Sequence, residues 1–180
     1  MSFAQNYKTK IKKHLMQELG LKNVHQVPYI RAIVLNVGMG KLLKDKKDYS
    51  EIEKNIARIS GQKPVVTLAK KSISNFKLRQ GMPIGLKVTL RGHRMYDFFE
   101  KLVAVVLPRI RDFKGLSDTS FDNEGNYHFG VREIGIFPDI IPDELKENHG
   151  IQISILTNST DKSQTKALLK AFSFPFTSKS

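Results

Sequence analysis

Cysteine and tryptophan are absent from this chain. The first absence excludes disulfides, thiolate catalysis and cysteine-built zinc sites, and it fits a reducing compartment. No apolar run approaches the roughly 20 residues that span a bilayer, so no membrane-spanning segment is expected. Lys8, Lys10, Lys12 and Lys13 interrupt the N-terminal apolar residues, so residues 1–17 read as part of the mature fold and not as a signal peptide. Acid is scarce as well. Seventeen Asp and Glu face thirty Lys and Arg, for a net charge of +13 across 180 residues. A balance this far from zero points to a polyanionic partner, nucleic acid or an acidic membrane surface, with solubility alone as the plain alternative.

The imbalance is local. Residues 1–111 hold 23 of the basic residues and 7 of the acids, whereas residues 112–147 hold Lys114, Arg132 and Lys146 against nine acids. The two regions are expected to meet different partners, unless the acids merely solvate loops.

Hydropathy then assigns the elements. Phe3, Tyr7, Ile11, Leu15 and Leu19 recur every fourth residue, which predicts an amphipathic helix over 2–20 stopped by Gly20. Residues 30–37 are β-branched and predict a strand, followed by a turn at Gly38-Met39-Gly40. Ser50 and Glu53 have the spacing of a capping box, opening a helix with Ile52, Ile56 and Ile59 that Gly61 closes. A short strand is expected at Val65–Leu68, then an exposed basic loop over 70–83. Ile84, Leu86, Val88 and Leu90 alternate with Gly85, Lys87, Thr89 and Arg91, a period of two that separates a buried from a polar face. Met95, Phe98, Phe99, Leu102, Val103 and Val106 mark a helix that Pro108 ends. Strands are expected at 126–137 and 151–157, a last helix from near Asp161, and a tail with Phe172, Phe174 and Phe176. The pattern predicts an α+β fold: one two-layer domain over 1–180, with an antiparallel or mixed sheet carrying helices on one face.

Enzymatic signatures fail on inspection. Gly38-Met39-Gly40-Lys41 lacks the upstream Gly and the following Ser or Thr of a phosphate loop, since Leu35 and Leu42 stand there. Leu43 replaces the third Gly of a dinucleotide fingerprint. The five His residues have no metal-ligand spacing. Asp122-Asn123-Glu124-Gly125 resembles part of a calcium loop, but Ser120 and Val131 occupy its first and last ligand positions, so it reads as a polar turn. Asp118, Asp122, Glu124, Asp139, Asp143 and Glu144 form a metal-dependent nuclease site only if they converge. No cofactor is expected.

The positive chemistry lies on strands. Lys87, Thr89 and Arg91, spaced by two, suit a phosphate backbone, with Thr89 left for finer contacts; the alternative is an ordinary solvated sheet. Asn36 ends the other strong strand, and Gln62 and Lys63 occupy a helix-to-strand turn. No aromatic stripe accompanies them, which favours reading a folded RNA by shape over base stacking. The loop with Lys70, Lys71, Lys77 and Arg79 also carries Phe76, Leu78 and Met82, and suits a second contact.

These residues occur in ordered runs: Leu35-Asn36-Val37-Gly38, Ile59-Ser60-Gly61-Gln62-Lys63-Pro64, Ala69-Lys70-Lys71-Ser72-Ile73, and Pro83 through Gly92. Pro108-Arg109-Ile110-Arg111-Asp112-Phe113, Ser120-Phe121-Asp122, Gly125-Asn126-Tyr127, Gly130-Val131-Arg132-Glu133 and Phe174-Pro175-Phe176 follow. Over nearly its whole length the chain resembles the bacterial-type family of large-subunit ribosomal protein five. The resemblance implies a non-catalytic cytoplasmic component of the ribosome that binds 5S rRNA in the central protuberance, beside 23S-type rRNA and neighbouring large-subunit proteins. By position it implies 5S rRNA contacts at Asn36, Gln62, Lys63, Thr67, Lys70, Lys87, Thr89 and Arg91. It implies that Lys77, Arg79, Gln80, Gly81 and Met82 approach peptidyl-site tRNA. It also implies an intersubunit bridge from Asp112, Asp139, Asp143 and Glu144 to a basic protein of the small-subunit head. Gly135, Ile141-Pro142 and Ser173 depart from the family pattern, the first two in the bridge region. A different RNA-binding module, such as an assembly factor, and a nuclease are the competing readings.

Overall fold

The computed structural model describes residues 3–40, 49–141 and 148–177. Its strands are β1 (Ile30–Gly38), β2 (Val65–Leu68), β3 (Pro83–Leu90), β4 (Tyr127–Val131) and β5 (Ile151–Thr157). They form one five-stranded antiparallel sheet in the order β2-β3-β1-β5-β4. Among the described residues the α-helices are α1 (Phe3–Asn6), α2 (Lys12–Glu18), α3 (Ser50–Ser60), α4 (Gly92–Lys101) and α5 (Lys162–Ala171). The α+β expectation is met. The chain divides into two compact units, the first made of Met1–Ile33, Leu90–Phe129 and Ile153–Ser180, the second of Val34–Thr89 and Gly130–Gln152.

The first unit is built on aromatic side chains. α1 and α2 are joined by a π-helical turn at Tyr7–Ile11, so the predicted single helix is not uniform. The reason lies in the repeat. A spacing of four exceeds the 3.6 residues of an α-helical turn, so the apolar row would drift around the cylinder. One wider turn removes the drift and keeps Tyr7, Ile11 and Leu15 buried in line. Gly20 takes left-handed backbone, φ 60°, just beyond the helix end. Phe3 meets Phe99 and Phe172 at centroid distances of 5.8 and 5.4 Å, and Phe172 meets Phe99 edge-on at 5.3 Å. Such pairs add about 0.5–1.5 kcal/mol each beyond area burial. The Tyr7 hydroxyl donates to the Pro28 carbonyl at 3.0 Å, and burial, with Tyr96 and Tyr29 nearby, pushes its pKa up. α4 runs on through a π turn (Leu102–Val106) into a 3-10 turn (Leu107–Arg109), so Pro108 lies within the final turn and does not precede it. Asp161 caps α5 by accepting from the Ser163 backbone N–H at 2.9 Å.

The second unit buries Leu35, Val37 and Met39 of β1 and its turn, Ile56 and Ile59 of α3, and Leu86 and Val88 of β3. The expected capping box at Ser50 and Glu53 is not formed. Tyr49 holds the non-helical cap position, φ −110°, and Ser50 is already helical. A capping side chain must sit on the residue outside the first turn, which here is Tyr49. Residues 126–137 are also not one strand. β4 ends at Val131 and Ile134–Ile136 form a 3-10 turn, because the Ile134 N–H is drawn to the His149 carbonyl at 3.1 Å.

Candidate nucleic-acid interface

The pairing of β2 with β3 sets the candidate face. Val65 stands opposite Lys87, Val66 opposite Leu86 and Thr67 opposite Gly85. Opposed residues point to the same side, so Val65, Thr67, Gly85, Lys87 and Thr89 share one face. The other side of β3, Leu86, Val88 and Leu90, is buried. On the shared face Lys87 is exposed and Thr67 and Thr89 are half-buried. Gly85 has a steric reason to be glycine: a Cβ there would lie 2.9 Å from both Thr67 Oγ1 and the Val37 carbonyl oxygen.

The register then slips. Leu68 faces Pro83, so Ile84 is the extra residue of a bulge. This corrects the placement of Ile84 on the buried face. It is exposed, while its carbonyl accepts the Met39 N–H at 2.9 Å.

Two further groups complete the second unit's polar set. Asn36 is exposed on β1. Gln62 and Lys63 leave α3 through a tight turn: Gly61 is left-handed, φ 64°, and its N–H donates to the Ala57 carbonyl at 2.8 Å. Ser60 Oγ donates to the Ile56 carbonyl at 2.7 Å and accepts the Gln62 N–H at 3.2 Å. Lys63 Nζ lies 3.8 Å from Glu53 Oε1 and is almost wholly exposed, a pair too weak to neutralise it. Lys70 is exposed at the base of the following loop. Arg91 belongs to the first unit, exposed in extended backbone (φ −141°, ψ 164°) immediately after β3.

The segment expected to be an irregular loop is an internally bonded hairpin. Ala69 N–H donates to the Met82 carbonyl at 2.8 Å, and Gly81 N–H to the Ala69 carbonyl at 3.0 Å. Ile73 and Leu78 exchange backbone bonds at 2.9 and 3.1 Å around a 3-10 turn at Ser74–Phe76. The Gln80 N–H donates to Ser72 Oγ at 2.9 Å. Lys77 takes left-handed backbone, φ 52°, and Gly81 does too, φ 83°. The tip presents Phe76, 70% exposed, and Lys77, while Arg79, Gln80 and Met82 are exposed along the returning arm.

The described acidic candidates belong to different units. Asp112 is exposed at a left-handed position, φ 53°, in the first unit, its Oδ2 4.0 Å from Arg111 Nε. Asp139 is half-buried in the second unit. Asp143 and Glu144 lie outside the described residues. Among the described residues no group of three His, Asp or Glu side chains could hold a metal ion. Asp122 is occupied otherwise. It accepts from the Glu124 N–H at 2.9 Å, the Asn126 N–H at 2.8 Å, Asn126 Nδ2 at 2.9 Å and His128 Nε2 at 3.0 Å. Burial acts to raise this carboxyl, but the bonds from His128, Asn126 and Glu124 outweigh it and hold its pKa at about 2. His128 Nδ1 meets Ser154 Oγ at 2.9 Å, which places its proton on Nε2 when the ring is neutral and the serine donates. The Asp122–His128–Ser154 chain therefore ties the β4 approach to β5, a link that spacing alone did not reveal.

Two family models match. The one described as ribosomal protein L5 covers residues 23–79, and the one described as the C-terminus of the same ribosomal protein family covers residues 83–176. The chain is 50% identical over 172 residues to the large ribosomal subunit protein uL5 of Thermosipho melanesiensis, covering 96% of this chain and 94% of that one. It is also 50% identical over 172 residues to the protein of the same name from Thermosipho africanus, covering 96% and 95%.

Proposed function

This chain belongs to the ribosomal protein L5 family, and from that premise we propose that it anchors 5S rRNA in the large ribosomal subunit through the open side of its β2–β3 pair. As a member of that family it is a structural rRNA-binding constituent of the large subunit and not an enzyme. The observation that carries the finer reading is the shared face of Thr67, Gly85, Lys87 and Thr89, set by the strand register. A cation, two hydroxyls and a glycine on paired strands make a preformed surface on which a folded backbone can lie. β2 and β3 contain no aromatic residue, which favours recognition by shape over base stacking. Asn36, Gln62 and Lys63 extend the polar set within the same unit, Lys70 follows at the hairpin base, and Arg91 follows β3 in sequence. In this reading the phosphates are met by Lys63, Lys70, Lys87 and Arg91, while Asn36, Gln62, Thr67 and Thr89 supply the contacts that distinguish one RNA from another.

The hairpin of Lys77, Arg79, Gln80, Gly81 and Met82 reaches for peptidyl-site tRNA. Asp112 and Asp139, with Asp143 and Glu144, face a basic protein of the small-subunit head across an intersubunit bridge. Charge complementarity supports that last assignment. The subunit's 23S-type rRNA and neighbouring proteins are the remaining partners, in a cytoplasmic ribosome.

A competition titration tests the central claim. The protein is held with labelled 5S rRNA at physiological salt and challenged with excess tRNA and an unrelated folded RNA. Retention of 5S rRNA is the expected result. Equal displacement by all competitors would mean that the +13 charge acts without specificity, and the residue assignments would fall.

A further inference from the structure

We propose that the N-terminal helix is a second, independent RNA-binding surface, which grips the phosphate backbone of a duplex while the sheet face holds its own RNA. The inference rests on the rRNA-binding reading above for the class of partner, and on the helix itself for the site. Residues 3–18 lie outside both stretches matched by the family models.

The four-residue repeat divides this helix into four rows. One row is apolar: Phe3, Tyr7, Ile11, Leu15. The π turn at Tyr7–Ile11 keeps it aligned, and by doing so it keeps the other three rows aligned too. Those rows read Ala4-Lys8-Lys12-Met16, Gln5-Thr9-Lys13-Gln17 and Asn6-Lys10-His14-Glu18. Every outward row carries a lysine in the same two turns. Lys8, Lys10 and Lys13 are exposed and Lys12 is half-buried. None is in an ion pair among the described residues, and residues 1–17 contain no acid. Glu18, the first acid, is placed beside His14 at 3.7 Å and not beside a lysine.

Surface helices that need only solubility mix charges of both signs, with acid–base pairs at a spacing of four. Here the acid half of that pattern is missing. From Lys8 to Lys13 the axis advances about 7.5 Å, a length over which double-helical nucleic acid carries about four phosphates. The lysines and the phosphates are thus comparable in number. The same helix is fastened by Phe3 and Tyr7 to Phe99 and Phe172, so its lysines are carried on a fixed support.

The test uses the full chain and two variants: Lys8→Gln/Lys10→Gln/Lys12→Gln/Lys13→Gln, and a milder Lys10→Gln/Lys13→Gln in case the first folds poorly. Each protein is saturated with 5S rRNA and then titrated with a labelled RNA hairpin duplex of unrelated sequence over a range of salt. The parent should form a ternary complex. The fourfold variant should keep its 5S rRNA affinity, bind the duplex at least about tenfold more weakly, and lose about three units of log–log salt slope. Unchanged duplex binding in both variants would overturn the proposal. So would a parent that binds no duplex once 5S rRNA is bound, or a variant that loses both RNAs in equal measure. If 5S rRNA itself shows no preference, the sheet-face reading fails, and duplex binding by the free proteins still decides the helix.

Discussion

Thr67 and Gly85 stand directly opposite each other across the β2–β3 pair, and the absent side chain of one makes room for the hydroxyl of the other. Gly85→Ala would put a Cβ 2.9 Å from Thr67 Oγ1 and from the Val37 carbonyl oxygen. The threonine can rotate away, but the Val37 backbone cannot. The variant should be less stable by about 1–3 kcal/mol, read as a lower urea midpoint at unchanged slope. Stability equal to the parent's would show that the strands part without cost.

Lys87→Ala and Arg91→Ala should each weaken RNA binding and flatten its salt dependence by about one unit of log–log slope. The measurement is affinity for 5S rRNA across a salt series. A slope untouched in both variants would remove β3 and its extension from the interface.

Thr89→Val keeps shape and charge while removing a hydroxyl. Affinity for 5S rRNA should fall with the salt slope preserved, and binding to unrelated RNAs should hardly change. A loss shared by every RNA tested would count against a discriminating role.

Phe76→Ala at the hairpin tip should leave stability within about 0.5 kcal/mol of the parent, because the ring is 70% exposed. Ribosomes reconstituted with the variant should hold peptidyl-site tRNA more weakly. Normal tRNA retention would dissociate the tip from that partner.

Asp122→Asn should reveal a pH-dependent contribution. The folded carboxyl, at about 2, lies below its ordinary 3.8, so its stabilisation is present above pH 4 and fades as pH falls through 2. Since the side chain is about one-third exposed, screening reduces the effect to about 1 kcal/mol at neutral pH. Urea midpoints of parent and variant should converge between pH 4 and pH 2. A constant gap over that range would mean that the carboxylate charge is not what matters.

Much of this architecture was legible in the residues. β3 was readable because a strict alternation admits one face assignment, and α5 because Asp161 caps it with its own side chain. What escaped depends on distant partners. The bulge at Ile84 is a register event between two strands, invisible in either one alone. Ser50 and Glu53 had the spacing of a cap, but a cap is decided by backbone angles at Tyr49. The strand expected through Ile134 ends early because His149, fifteen residues on, takes its N–H. The candidate site divides the same way. Lys87 and Thr89 followed from periodicity, whereas the exposed Val65 beside Lys87 required the pairing register.

The rungs inside the hairpin change what it costs to use it. A free loop of this length would surrender about 1–2 kcal/mol of conformational entropy for each residue frozen on docking. Here the bonds between Ile73 and Leu78, from Gln80 to Ser72, and between Ala69 and its partners Gly81 and Met82 have already met that loss during folding. A ligand therefore meets a preformed finger, and the energy of their contacts is not offset by the cost of ordering the loop.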